Sequence, residues 1–300
     1  MRVRIPLSSL LAKALAALVM TASSALEAAP PTGWKMVFND EFDGDELDHS
    51  KWSTTMEFIG THGQRYHNEF YASYTVDEEI VVQGGQLNLR TDRRTVEGAE
   101  TPNIWDYTQG LVSSHDKFAF THGYVEIRAK YPGGRGLWPC LWLMPQHQQW
   151  PPEFDIAEYY GGQKTMHHGL AYGELHDSRW DSTWDRATDF EDDFHTYALE
   201  WMPGRAVWYL DGQERKTIHA TYVPNVAMYL IMSNSVSSIF GPSGEPDGDT
   251  VFPNAFLIDY VRVYQPAPPV EAVLVKNEAT PAPEPFVLAP AAPIFPEPVP

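Results

Sequence analysis

Short stretches of alternating apolar and polar residues recur along this chain between turn residues, and no long segment carries the 3.6-residue period of an amphipathic helix. Tyr124 to Tyr131, Thr196 to Trp201, Ala206 to Leu210, Ala227 to Met232 and Phe256 to Tyr264 each read as a strand. Asp211-Gly212 separates two such stretches, and both residues tolerate positive φ, which predicts a two-residue hairpin turn. Many strands parted by Gly and Pro turns predict an all-β fold: two antiparallel sheets packed face to face as a sandwich or jelly roll. The 300 residues suffice for one such domain with a substantial core.

The most demanding segment is Glu153-Phe154-Asp155-Ile156-Ala157-Glu158, three carboxylates within six residues of what reads as one buried strand. Side chains alternate along a strand, so Glu153 and Asp155 share a face while Phe154 and Ile156 turn to the core. Strict pleating would send Glu158 coreward as well. A single bulge near Ala157 absorbs the odd residue and returns Glu158 to the acidic face. Clustered carboxylates push one another's pKa values apart, so that one keeps its proton near neutral pH. That combination suits retaining glycoside hydrolysis, in which a carboxylate attacks the anomeric carbon and a carboxylic acid about 5–5.5 Å away protonates the leaving oxygen. Glu153 is assigned as nucleophile, Glu158 as acid/base and Asp155 as the helper between them. Trp150, Pro151 and Pro152 before the run, and Tyr159, Tyr160, Gly161 and Gly162 after it, form a rigid aromatic frame rather than a solvated acidic surface.

The E-x-D-I-x-E run resembles the active-site signature of family 16 glycoside hydrolases in its bulged, laminarinase- and agarase-type form. Further blocks follow the family's order: Val37 to Gly44, Gly123 to Lys130, Gly136 to Leu143, Phe194 to Tyr197 with Glu200-Trp201, Trp208 to Gly212, and Asp259 to Tyr264. The resemblance covers roughly residues 34 to 265 and implies a jelly roll with its cleft across a concave sheet. It also suggests contacts. Trp138, Cys140 and Trp142 alternate with Leu137, Leu141 and Leu143, so the tryptophans are expected in the cleft and the leucines in the core. Trp138 and Trp142 are candidate sugar-stacking residues, and Asn68 stands where the family carries an Asn that binds a sugar hydroxyl. His168 is expected to face Asp155 or a sugar, with His167 turned away. The family often binds a structural Ca2+ on the opposite face, which corresponds here to Glu41, Gly85 and Asp259, with pairing of Asp259 to an arginine as the competing outcome. No cofactor is expected to be required for catalysis.

Residues 1–28, with Arg2, Arg4 and Lys13 ahead of the apolar stretch Ala14 to Ala22 and then small residues, read as a secretory signal peptide. The glycoside hydrolase jelly roll is assigned to residues 30–266. Residues 267–300 hold ten prolines between Pro268 and Pro300 and are expected to be an extended or disordered tail. The lone Cys140 excludes an intramolecular disulfide and reads as a packing residue. Forty acidic against 21 basic residues give a net charge of −19, which disfavours nucleic acid and anionic membranes as partners. The apolar N-terminal stretch is too short for stable membrane insertion. A monomer acting on a polysaccharide is expected.

These features predict a secreted endo-β-glycanase acting on β-1,3- or mixed β-1,3/1,4-glucan. An agarase- or carrageenase-type galactanase, a transglycosylase and a non-catalytic glycan-binding protein on the same fold are the alternatives. Leu111 and Tyr172 stand where laminarinases often carry Arg and His, which argues against β-1,3-glucan. Glu158-Tyr159-Tyr160-Gly161 resembles the laminarinase continuation and argues for it.

Overall fold

The computed structural model describes residues 30–55, 69–98, 104–186 and 190–267. The chain divides into a unit ending at Pro266 and a second from Ala267 to Pro300. The expected signal peptide, the tail beyond Ala267 and Asn68 lie outside the described residues.

Two large sheets make up the first unit. The larger is ordered β16 (Gln213–His219), β15 (Arg205–Leu210), β14 (His195–Met202), β9 (Gly123–Lys130), β18 (Asn254–Pro266), β4 (Leu87–Asp92), β7 (Tyr107–Gln109) and β2 (Ser73–Thr75). Strand β1 (Trp34–Asp40) pairs with β18, and β3 (Ile80–Val82) pairs with β4. The second sheet is ordered β13 (Asp177–Asp185), β12 (Thr165–Glu174), β11 (Glu153–Tyr160), β10 (Leu137–Pro145), β17 (Met228–Val236) and β8 (Leu111–Ser113). A small pair joins β5 (Val96–Glu97) to β6 (Ile104–Trp105). The only helical element among the described residues is a 3-10 turn at Asp77–Glu79, and the pairing is antiparallel except between β2 and β7. No helix among the described residues is long and apolar enough to cross a membrane.

The predicted hairpin forms as expected. Asp211 and Gly212 have φ of 49° and 71°, and Leu210 pairs with Gln213 across the turn. Alternation sorts each strand of the second sheet into a core face and a cleft face. Leu141 and Leu143 of β10 join Phe154, Ile156 and Tyr159 of β11 and Met166 and Leu170 of β12 in the inter-sheet core, against Val125, Ile127, Leu199, Trp201, Val261 and Val263 of the other sheet. Their opposite-parity neighbours Cys140 and Trp142 pack in a separate cluster with Leu111, Tyr229 and Ile231, and Trp138 lies against it. Each fully buried side chain of Leu, Ile or Phe size contributes about 1.5–3 kcal/mol of transfer free energy, which fixes the register of all six strands.

Candidate active site

A cleft of about 1240 Å3 runs over the outer face of the second sheet. The acidic strand β11 crosses its floor, and a bulge in that strand sets the chemistry. On the β10 side, Trp142 pairs with Asp155 and Leu141 with Ala157. On the β12 side, Gly169 pairs with Asp155 and His167 with Glu158. One extra residue at Ile156–Ala157 is thus accommodated in β11. Ile156 and Ala157 stay in the core while Glu158 returns to the face of Asp155, as the spacing predicts.

A bulge frees backbone carbonyls from the ladder, and buried carbonyls need donors. Three side chains supply them. Trp208 Nε1 donates to the Asp155 carbonyl at 2.8 Å, the Tyr131 hydroxyl to that of Ala157 at 3.0 Å, and His168 Nδ1 to that of Ile156 at 2.6 Å. His168 is therefore a correction to the sequence-based expectation. It is fully buried, does not line the cleft, and places Nε2 3.4 Å from Asp185 Oδ2. His167 is the histidine that faces the carboxylates, because the bulge makes it the partner of Glu158. Its Nδ1 lies 2.9 Å from Glu158 Oε2 and 3.3 Å from Asp155 Oδ2. Gly169 makes room for this: a Cβ there would meet the His167 ring at 2.7 Å.

Donors converge on the two glutamates. Glu158 accepts from Trp138 Nε1 at 2.6 Å and from the Tyr160 hydroxyl at 2.8 Å, and the Cys140 thiol stands 3.8 Å from Oε1. Glu153 accepts from Trp150 Nε1 at 2.6 Å. Burial and the neighbouring Asp155 charge raise the Glu153 carboxyl well above the usual carboxylate range. Burial, followed by the charge of Glu158, pushes Asp155 up to about 6, with His167 opposing. For His167, burial alone would favour the neutral ring, but the carboxylates of Asp155 and Glu158 beside Nδ1 outweigh it and push the imidazole up to about 10. The cluster therefore sets an imidazole that favours its charged form beside carboxyls, Glu153 and Asp155, that favour their neutral one.

Trp138 and Trp142 both line the cleft, as alternation predicts. Trp138 also stacks on Tyr71, with ring centroids 5.2 Å apart, and Trp142 is largely buried. Edge strand β13 adds residues for which no role was foreseen. Trp180, Ser182 and Trp184 alternate onto the cleft face, and the two tryptophans remain about half exposed, at 46% and 50%. Their rings flank His167 at 5.6 and 4.6 Å. The W-x-S-x-W spacing was the available signal. Among the described cleft residues there is no lysine or arginine.

Glu41, Gly85 and Asp259 do meet, at a separate pocket of about 400 Å3, but Arg128 and Arg262 meet them there. Glu41 takes two hydrogen bonds from Arg262, at 3.0 and 2.9 Å, and Asp259 one from Arg128 at 2.5 Å. Both carboxylates thus carry a guanidinium partner, and both arginines line the same pocket. Pairing with arginine, the competing outcome for Asp259, is the arrangement that both carboxylates adopt.

The sequence matches the family described as Glycosyl hydrolases family 16 over residues 56–246. The chain belongs to this family. It is 31% identical over 255 residues to a beta-glucanase of Rhodothermus marinus, covering 77% of this chain and 85% of that protein. It is 29% identical to glucan endo-1,3-beta-glucosidase A1 of Niallia circulans over 78% of this chain, a match that spans only 38% of that longer relative. Among solved structures, the catalytic domain of an endo-1,3-beta-glucanase (laminarinase) from Thermotoga petrophila superposes with a TM-score of 0.69 at 28% identity, covering 78% of this chain and 99% of that one. The family's jelly-roll architecture accounts for both sheets.

Proposed function

We propose that this family 16 chain is a secreted, retaining endo-β-glucanase that cleaves internal linkages of β-1,3- or mixed β-1,3/1,4-glucan. The observation that carries the proposal is the bulge in β11, which sets Glu153, Asp155 and Glu158 on one floor of an open, aromatic-lined cleft. Glu153 attacks the anomeric carbon while the carboxylic acid of Glu158 protonates the departing glycosidic oxygen. Positive charge developing on the sugar favours the Glu153 carboxylate, and Asp155, hydrogen-bonded to it, helps to carry the proton it sheds. Glu158 then removes a proton from the water that releases the glycosyl group. Trp138, Tyr160 and His167 hold Glu158 in place for both steps.

The glucan assignment is supported by the printed activities of the relatives and by the cleft's lack, among its described residues, of a cationic side chain to pair with a sulfated sugar. Leu111, clustered with Cys140 and Trp142, and Tyr172, stacked on Tyr222 at 3.9 Å, offer no Arg or His for sugar hydroxyls, so the preferred glucan linkage is open to measurement. Secretion is supported by the basic and then apolar N-terminus, and the expected monomer is checked by sedimentation. The functional test is release of reducing ends from laminarin, mixed-linkage glucan, agarose, porphyran and κ-carrageenan. Oligosaccharides are expected from the glucans; release from a galactan alone would overturn the substrate, and binding without turnover on every polymer would make this a glycan-binding protein.

A further inference from the structure

The geometry points to a second capacity of the same cleft: Asp155, Glu158 and His167 form a three-ligand pocket for a divalent transition-metal ion such as zinc, whose capture blocks the catalytic floor. One atom of each residue lies within 4.8 Å of the others, and all three residues are buried. His167 Nδ1 stands 2.9 Å from Glu158 Oε2 and 3.3 Å from Asp155 Oδ2. Zinc bonds of about 2.0–2.1 Å at tetrahedral angles place neighbouring ligand atoms roughly 3.3 Å apart, so little movement separates this arrangement from a coordination shell. Imidazole nitrogen and carboxylate oxygen are both zinc ligands, and three of them leave the fourth position of a tetrahedral site toward the cleft and solvent.

A second observation is independent of that spacing. Asp155 Oδ2 is buried without a hydrogen-bond partner, although Asp155 is only 2% exposed. The single Nδ1 hydrogen of His167 is directed at Glu158, so the 3.3 Å approach leaves this oxygen unsatisfied and aimed into the cluster. Zinc would satisfy it. The ion takes the Nδ1 lone pair, and the proton held there leaves to solvent. The Cys140 sulfur, 3.8 Å from the other Glu158 oxygen, lies outside this three-ligand set, whose imidazole nitrogen favours zinc over calcium or magnesium.

The metal site itself does not rest on the glucanase proposal; only its inhibitory consequence does. Zinc chloride titrated calorimetrically into the full chain in chelator-stripped buffer is expected to show one tight site. Its affinity should fall at least tenfold in both His167→Gln and Asp155→Asn, and less in Cys140→Ala. With a hydrolysed glucan as substrate, zinc should raise the apparent KM and leave kcat unchanged. Should a variant fail to melt cooperatively, anomalous density at the zinc edge in crystals of the unmodified chain decides, with a peak expected between the three side chains. Affinity equal in all variants, or zinc density only at surface histidines, would overturn the site. Inactivity on every glycan with the calorimetric site intact would overturn the glucanase proposal alone.

Discussion

Replacing Asp155 by asparagine is expected to make the protein more stable and less active at once. Asp155 is buried, and its carboxyl is raised from 3.8 to about 6 by burial and by the charge of Glu158. A carboxyl raised on folding binds its proton more tightly in the native state, so its unfavourable contribution is absent below pH 3.8. It grows as pH rises and is complete above about pH 6. A difference of roughly two pKa units corresponds to about 3 kcal/mol at pH 8, and the attraction of His167 is already contained in that value. The amide that replaces the carboxylate is neutral and of the same shape. At about 2–4 °C per kcal/mol for a domain of this size, Asp155→Asn should raise Tm by up to roughly 6–12 °C at pH 8. A buried amide that finds imperfect partners reduces the gain. The same change removes the charge that keeps a proton on Glu153, so the acid limb of kcat/KM should move to lower pH while kcat falls. Circular-dichroism melts of both proteins at pH 3.5 and pH 8 in metal-free buffer, paired with reducing-end assays from pH 4 to 9, check this. A Tm difference that does not grow between the two pH values would refute the electrostatic origin, and an unmoved acid limb would refute the link to Glu153.

Other consequences follow from single contacts. Trp138→Phe keeps the stack on Tyr71 but removes the indole donor to Glu158 and leaves a buried carboxyl oxygen short of a partner, at about 1–3 kcal/mol, so kcat/KM on glucan should fall roughly 5- to 150-fold with little change in Tm. Trp208→Phe leaves the bulge carbonyl of Asp155 without a donor and should cost about 1–3 kcal/mol in urea unfolding, with kcat reduced only as far as the bulge relaxes. Trp180→Ala and Trp184→Ala should raise KM for polymer more than they lower kcat, as steady-state kinetics would show. Because Arg128 and Arg262 occupy Asp259 and Glu41, chelation should leave Tm unchanged; a fall restored by added calcium would show that the cation displaces these ion pairs.

What could be read from the sequence was what depends on strand periodicity within one segment. The alternation in β10 placed Trp138 and Trp142 against the leucines, and the odd spacing from Glu153 to Glu158 located the bulge before any pairing was known. What could not be read depended on a second strand. The choice between His167 and His168 is fixed by the register β12 adopts against the bulge, information its own alternation does not hold. Strand β17 runs to Val236, beyond the Met232 at which its apolar run ends. Ser233, Asn234 and Ser235 are polar yet buried, with the strand lying between β10 and β8. The partners of Glu41 and Asp259 are likewise set by β18 packing beside β9, which brings in an arginine from each strand. Edge strand β13 mixes exposed and half-buried positions, so its apolar signal was too weak to mark it as part of the cleft.

The central claim is that Glu153 forms a glycosyl intermediate which Glu158 helps water to resolve. Proton NMR of the first minutes of glucan hydrolysis, before the new reducing ends mutarotate, tests it most directly. The β-anomer should appear first, and Glu153→Gln and Glu158→Gln should each abolish its formation in folded protein. An initial α-anomer would mean direct displacement by water and would contradict the assignment of Glu153 as nucleophile.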